Sequence, residues 1–310
     1  MFETPILYII YNRVEHVKQT FSQIIKTKPK KLFIAADGPD VLKNGDDYKC
    51  KVTRELVLSE INWACEVKTL FRERNLGCKI AVSSAIDWFF ENVEQGIILE
   101  DDILPDKSFF YFCQELLIKY RYDTRIMQIN GLNHFNSVDI SYSYFFAKFG
   151  PCWGWATWRR AWEKNDVNMT KWTEIKKKKL YHSFCDSEAE QQWRINLFDT
   201  IFNNNIDTWD YQWVFTKLIE SGLCITPKTN LIKNIGFMND ATHTGTLPSY
   251  MRNVKLNAIN FPLVHPEYIL RNAKLDMEYF KSVVNSKNNS KIKHLIWRIL
   301  SKIKKLLWEK

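Results

Sequence analysis

A chain of 310 residues with 45% hydrophobic and 25% charged residues has an ordinary globular composition, long enough for one large domain or two smaller ones, and this excludes disorder throughout. The net charge of +9 raises nucleic acid, anionic lipid and phosphorylated substrates as partners, to be told apart by where the charge lies. Seven scattered cysteines without a CxxC exclude a disulfide framework and a cysteine zinc site, and no apolar run nears the ~18 residues of a membrane span.

From the N-terminus, PILYIIY (5–11) is a continuous apolar, β-rich run, and VEHVKQTFSQIIK (14–26) sets Val14, Val17, Phe21, Ile24 and Ile25 at helical spacing. KLFIAA (31–36) reads as a second strand ending in DGP, YKCKVTRELVLSEI (48–61) as a second helix and CEVKTLF (65–71) as a third strand. CKIAVSSAIDWFFEN (78–92) is a broadly apolar helix and GIILE (96–100) a buried strand. Four alternating β/α units predict an α/β fold with a parallel sheet and helices on both faces. The opening MFETPILYIIYNR carries an acid and too short an apolar core for a signal peptide, which points to the cytosol.

In open sheets of this kind, ligands bind beyond the carboxyl ends of the strands. Those ends carry Asn12 and Arg13, then Asp37 and Gly38, then Arg72, Arg74 and Asn75, then Glu100, Asp101 and Asp102. Four polar, mostly charged ends are more than solvated turns require. The triplet in ILEDDILP (98–105) raises its own question, because neighbouring carboxylates repel unless a cation or a hydrogen-bond network holds them. Carboxylates are hard oxygen ligands suited to Mg2+ or Mn2+, ions that keep water while bridging substrate phosphates. The strand would fix the cluster at the crevice, with Pro105 ending the turn before the next helix.

The second half is less regular. A helix is predicted over 108–121, strands over 125–131 and 143–150, a Lys-rich surface segment at 176–179 and a helix near 187–204. WDYQW (209–213) and ITPKTNLIKNIGFMNDATHTG (225–245) follow. Aromatic residues reach 15% with 12 Trp; since Trp faces also stack on sugars and bases, the excess hints at a carbohydrate or nucleotide site, although packing is the better account of any single Trp. Beyond a polar linker, residues 291–310 place Ile292, Leu295, Ile296, Ile299, Ile303, Leu306 and Leu307 on one helical stripe and lysines on the other. Residues 287–310 hold eight Lys or Arg against one acid, seven of the nine net charges. A basic amphipathic helix of this composition is expected on anionic lipid, and its share of the charge argues against nucleic acid as a partner.

YNR (11–13), ADGP (36–39), RERNLGC (72–78), GIILEDDILP (96–105), GWATW (154–158), WDYQW and ATHTG (241–245) together resemble the metal-dependent glycosyltransferases of the GT-A fold, and within them N-acetylglucosaminyltransferase I and its bacterial relatives. The resemblance spans roughly residues 4–245. It implies a mixed, Rossmann-like sheet flanked by helices, a domain over 1–285 with a nucleotide-binding half (1–105) and an acceptor-binding half (106–285), and a Mn2+ or Mg2+ cofactor. By the same resemblance Asp102 is the metal ligand with His243 a candidate to complete its shell, Asp101 faces the donor's ribose or sugar, and Glu100 holds sugar hydroxyls or supports the loop. Asn12, Arg13 and Asp37 surround the nucleotide, Arg74 and Lys79 contact base or phosphate, Trp153, Gly154 and Trp155 shape the sugar pocket, and Asp210 is the general base of an inverting transfer.

The function this implies is transfer of a sugar from a nucleotide-diphosphate donor, UDP-linked by preference, to a surface glycan or lipid-linked glycan. The protein would act on the inner face of the cell membrane, held there through residues 291–310. A sugar-phosphate nucleotidyltransferase is the alternative, disfavoured because YNRVEH lacks a Gly-rich phosphate loop. A carbohydrate-binding protein without chemistry is a further alternative that the Trp count permits.

Overall fold

The computed structural model describes residues 2–203, 206–237 and 251–284. Its first half follows the β/α alternation: β1 (Ile6–Ile10), α1 (Val14–Thr27), β2 (Lys31–Ala36), α2 (Asp46–Ser59), β3 (Glu66–Phe71), α3 (Gly77–Asn92) and β4 (Gln95–Glu100). Then come β5 (Ile103–Pro105), α4 (Lys107–Lys119), β6 (Ile126–Asn130), β7 (Tyr144–Ala147), β8 (Trp155–Trp158), α5 (Arg159–Trp162), α6 (Trp172–Lys177), α7 (Glu188–Phe202), α8 (Asp210–Ile219), β9 (Leu223–Pro227) and β10 (Ile232–Asn234).

An eight-stranded sheet runs β3-β2-β1-β4-β8-β6-β9-β7. The four strands of the first half are parallel, with Ile9 of β1 beside Glu100 of β4. β8 enters antiparallel to both β4 and β6, β6 and β9 are parallel, and β7 is antiparallel to β9. The fold is therefore α/β with a mixed sheet, and the segment GWATW that reads as a motif is a sheet strand joining the two halves. Directly after the acids, Ile103–Pro105 forms β5, antiparallel to β10, where the sequence reading placed only a turn closed by Pro105. Asp106 then caps α4, its carboxylate accepting from the Ser108 amide at 2.8 Å.

Continuous apolar runs suit strands covered on both faces. Alternate residues of β1 divide between two cores: Ile6, Tyr8 and Ile10 join α1 and α4, while Leu7 and Ile9 join α3 and Trp155, Trp162, Trp209 and Trp213. A third cluster unites α6, α7 and α8 through Trp172, Phe198 and Phe215. Trp155, Trp158, Trp172 and Trp213 are among the largest fully buried side chains, so much of the Trp excess is core. Residues 291–310 and His243 lie outside the described residues. Among the described residues no helix is long and apolar enough to cross a membrane.

The far end of the sheet is closed by charge. Buried Lys148 follows β7, and its Nζ donates to Asp186 at 2.8 Å, to Glu190 at 2.9 Å and to the Phe184 carbonyl at 3.0 Å. Its amide donates to both carboxylate oxygens of Asp276 at 3.0 Å, and Arg194 and Arg271 pair with the same acids. Replacing one member strands the others without their counter-charge. Lys148→Met is expected to lower unfolding free energy by about 3 kcal/mol in urea titration, whereas exposed Lys178→Met, which breaks only a surface pair with Glu174, should change it by less than about 0.5 kcal/mol.

Candidate active site

The carboxyl edge of β1 and β4 carries the acids. Asp101 is buried at 5% exposure. One of its oxygens accepts from the Tyr11 amide at 3.1 Å and the other from Arg13 Nη1 at 3.1 Å, and its carbonyl stands 3.1 Å from Thr20 Oγ1. The same Nη1 donates to Asp102 Oδ2 at 3.0 Å. One guanidinium thus bridges two consecutive carboxylates, which settles part of what holds the triplet together.

Compensation is incomplete. Burial pushes the Asp101 carboxyl up to about 6, with Asp102 adding to the rise and Arg13 and the Tyr11 amide opposing it. Glu100 keeps some contact with solvent, yet desolvation raises its carboxyl well above the ordinary value, reinforced by Asp102, Asp101 and Asp210. The influence of Asp210 on Glu100 brings a residue of the second half to the acidic cluster. Asp210 opens α8, and its Oδ1 accepts from the Thr208 hydroxyl.

α8 is seated by aromatic packing and by a buried polar network. Trp209 stacks on Trp155 with centroids 5.8 Å apart, and Trp213 lies 5.2 Å from Trp162. Trp213 Nε1 donates to Gln128 Oε1 at 2.7 Å, an oxygen that Lys217 Nζ also reaches, while Lys217 further donates to the Gly150 carbonyl at 3.0 Å. These contacts tie α8 to β6 and to the loop before β8, on the edge where β4 ends.

The sequence-predicted residues divide. Glu100, Asp101, Asp102, Arg13 and Asp210 come together. Asn12 neighbours them but donates its amide to Asp46, a residue the sequence reading passed over; Asp46 also accepts from Tyr11 Oη at 2.5 Å and the Asp40 amide at 2.7 Å. These hydrogen bonds outweigh burial and hold its carboxyl below the usual range. Asp37 knits two loops, accepting from the Gly38 amide at 2.8 Å and the Leu76 amide at 3.0 Å, with burial nonetheless raising its carboxyl. Arg74 is exposed, and Lys79 sits on the first turn of α3. Trp155, at 1% exposure, is enclosed by Trp162, Trp209 and Trp213 and packs in the core. The half-buried ring beside it is Trp153, 5.3 Å from Phe237.

Two further participants carry no sequence signal. Cys78 feels the charges of Glu100, Asp207, Asp210 and Arg13, and burial, the largest influence, raises its thiol far above normal. The 235–237 segment crosses the acids: the Ile235 amide donates to the Asp102 carbonyl at 2.8 Å and its carbonyl lies 3.2 Å from His16 Nε2. A Cβ on Gly236 would stand 2.3 Å from Asp102 Oδ2, so only glycine lets the backbone pass so near.

The donor set can be tested against a divalent ion. Among the described residues no three His, Cys, Asp or Glu side chains gather closely enough to cage one. Asp102, like Glu100, is partly exposed, its side chain 19% accessible, with Oδ2 engaged by Arg13. A carboxylate of this kind fits an ion such as Mg2+ that takes one or two protein oxygens and draws its remaining ligands from phosphate and water.

No protein-family model matches the chain, and no curated protein matches it. Several solved structures align with part of the chain. The crystal structure of S. aureus TarS 1–349 aligns over 76% of this chain and 61% of that one, at 9% identity and a TM-score of 0.42. HddC from Yersinia pseudotuberculosis aligns over 51% of this chain and 77% of that one, at 7% identity and a TM-score of 0.31. A cytidylyltransferase from Leptospira borgpetersenii serovar Hardjo-bovis aligns over 54% and 64%, at 10% identity and a TM-score of 0.32. At these identities the function rests on the site's own residues.

Glu100 is raised in the fold above its ordinary 4.5, so the folded protein holds this proton more tightly than the unfolded chain. Stability is then lost as pH climbs above the unfolded value. In metal-free protein Glu100→Gln should therefore raise the melting temperature at pH 7.5 by about 2–4 °C, a gain that shrinks as pH falls toward 5; a lowered melting temperature at pH 7.5 would contradict the burial cost.

Proposed function

We propose that the protein transfers a sugar from a nucleotide-diphosphate donor, UDP-linked by preference, to an acceptor hydroxyl with inversion at the anomeric carbon. The observation that carries this reading is that Arg13 bridges Asp101 and Asp102 next to Glu100 at the carboxyl end of the sheet, with Asp210 near enough for its charge to act on Glu100. In this reading the base comes from one half of the chain and the acidic cluster from the other, the arrangement an in-line displacement needs.

Asp102 would hold Mn2+ or Mg2+, which when bound supplies Lewis-acid stabilisation of the charge developing on the diphosphate. The remaining steps belong to the chain. Asp101, fixed by Arg13 and the Tyr11 amide, faces ribose or sugar hydroxyls, and Asp37 accepts from the base. Lys79 and Arg74 lie toward the phosphates. Glu100, its carboxyl pushed above the ordinary value by burial and the neighbouring acids, hydrogen-bonds to the sugar hydroxyls. Asp210 takes the acceptor hydroxyl's proton as its oxygen bonds to the anomeric carbon and the glycosidic electron pair leaves with the diphosphate. The acceptor is a surface or lipid-linked glycan, and the basic stripe of residues 291–310 would bring the protein to an anionic membrane from the cytoplasmic side.

Two variants test the chemistry. Asp210→Asn is expected to keep UDP affinity within about twofold by titration calorimetry while transfer falls by about 10²–10⁴-fold. Asp102→Ala is expected to abolish the Mn2+-dependent part of UDP binding and Mn2+-dependent hydrolysis of nucleotide sugars. Undiminished donor cleavage by Asp102→Ala in the presence of chelator would end this reading.

A further inference from the structure

The turn ahead of Asp210 is tied to the opening of α3, 128 residues away in sequence. The Asp207 carboxylate accepts from two amides at once, Cys78 N at 2.8 Å and Lys79 N at 2.9 Å. The first amides of a helix have no partner within it and carry the positive end of its dipole. α3 is a 16-residue helix whose N-cap, Leu76, makes no side-chain cap. Asp207 supplies from a distance the anionic cap that the local sequence lacks.

The fit is close. Gly77 has φ +78°, and a Cβ there would stand 2.7 Å from Asp207 Oδ2, so glycine meets both the backbone conformation and the approach of the carboxylate. On its other side the turn continues without slack into α8. Thr208 donates its hydroxyl to Asp210 and accepts from Gln212 Nε2 at 2.7 Å through its carbonyl, and Trp209 is buried against Trp155. The charge of Asp210 acts on both Cys78 and Glu100, so the clip lies within electrostatic reach of the acidic cluster.

We propose that Asp207 is a positioning residue: its clip across the start of α3 fixes the turn that aims Asp210 at the donor edge, coupling the base to the nucleotide-binding half. This rests on the reading of Asp210 as the base. The clip itself has a readout independent of turnover, because the Cys78 thiol lies beside the residues it orders.

The experiment compares the full chain with Asp207→Ala and Asp207→Asn, measuring sugar transfer across pH, UDP affinity with Mn2+, thermal stability, and the rate at which iodoacetamide labels Cys78, resolved by mass spectrometry. For Asp207→Ala the expected results are a kcat lowered by about 10–10²-fold, UDP affinity within twofold, a displaced acid limb of the kcat profile and faster Cys78 labelling. Added formate, a carboxylate small enough to occupy the vacated amides, should restore part of the rate and slow the labelling. Asp207→Asn, which keeps one amide acceptor, should fall between. An Asp207→Ala protein with unchanged kcat and unchanged labelling overturns the proposal. So does a kcat loss that merely follows lost thermal stability, with the pH profile unmoved and no response to formate. A wild-type chain that transfers no sugar, while Cys78 labelling still answers to Asp207 and formate, supports the clip and counts against the reaction proposed above.

Discussion

A single guanidinium shared by two consecutive carboxylates governs the arrangement of this protein. Asp101 and Asp102 end a strand at the sheet edge, where ionised acids in low dielectric are costly unless paired and hydrogen-bonded. Arg13 pairs both from the loop after the neighbouring strand, and the Tyr11 amide adds a third donor. The bridge thereby locks the loop after β1 to the end of β4, and it leaves the cluster with more negative than positive charge. Burial first, and the neighbouring acids second, raise the carboxyls of Asp101 and Glu100. A site that carries uncompensated acidity in the free protein is suited to a partner bringing positive charge.

The second half of the chain reaches this edge through the sheet. Because β8 pairs antiparallel with β4, the segment before Trp155 emerges where β4 ends. The rings of Trp155, Trp162, Trp209 and Trp213 pack together beneath, and α8 rests on them with Asp210 as its first residue, near enough for its charge to act on Glu100. Aromatic packing at this point therefore serves the site indirectly: it sets the height and direction of a helix N-terminus. Gln128, which accepts from Trp213 and Lys217, adds polar registry to a surface that apolar contact alone would leave free to slide.

Two long-range contacts tie further segments to the residues around the acids. Asp207 joins the turn before α8 to the start of α3, and the Ile235 backbone lies against Asp102 and His16. Both use backbone groups on at least one side, so neither leaves a compositional trace. Cys78 and Asp46 escape notice in the same way: a thiol at one helix start and an acid opening another are unremarkable until tertiary structure surrounds them with charge or donors.

The sequence by itself determined the strands and helices of the first half and the acids that stand at its carboxyl edge. Hydrophobic period, turn residues and strand ends are local properties, legible along the chain. The family likeness of WDYQW drew attention to Asp210, whereas the burial of Trp155 is not legible in the sequence, because exposure depends on what packs over a ring. Only the tertiary structure decided that GWATW is an antiparallel sheet strand, that Arg13 serves two acids at once, and that Asp207 caps a helix it does not precede. Those outcomes depend on which separate segments the fold brings together, and periodicity within a single element holds no record of its neighbours.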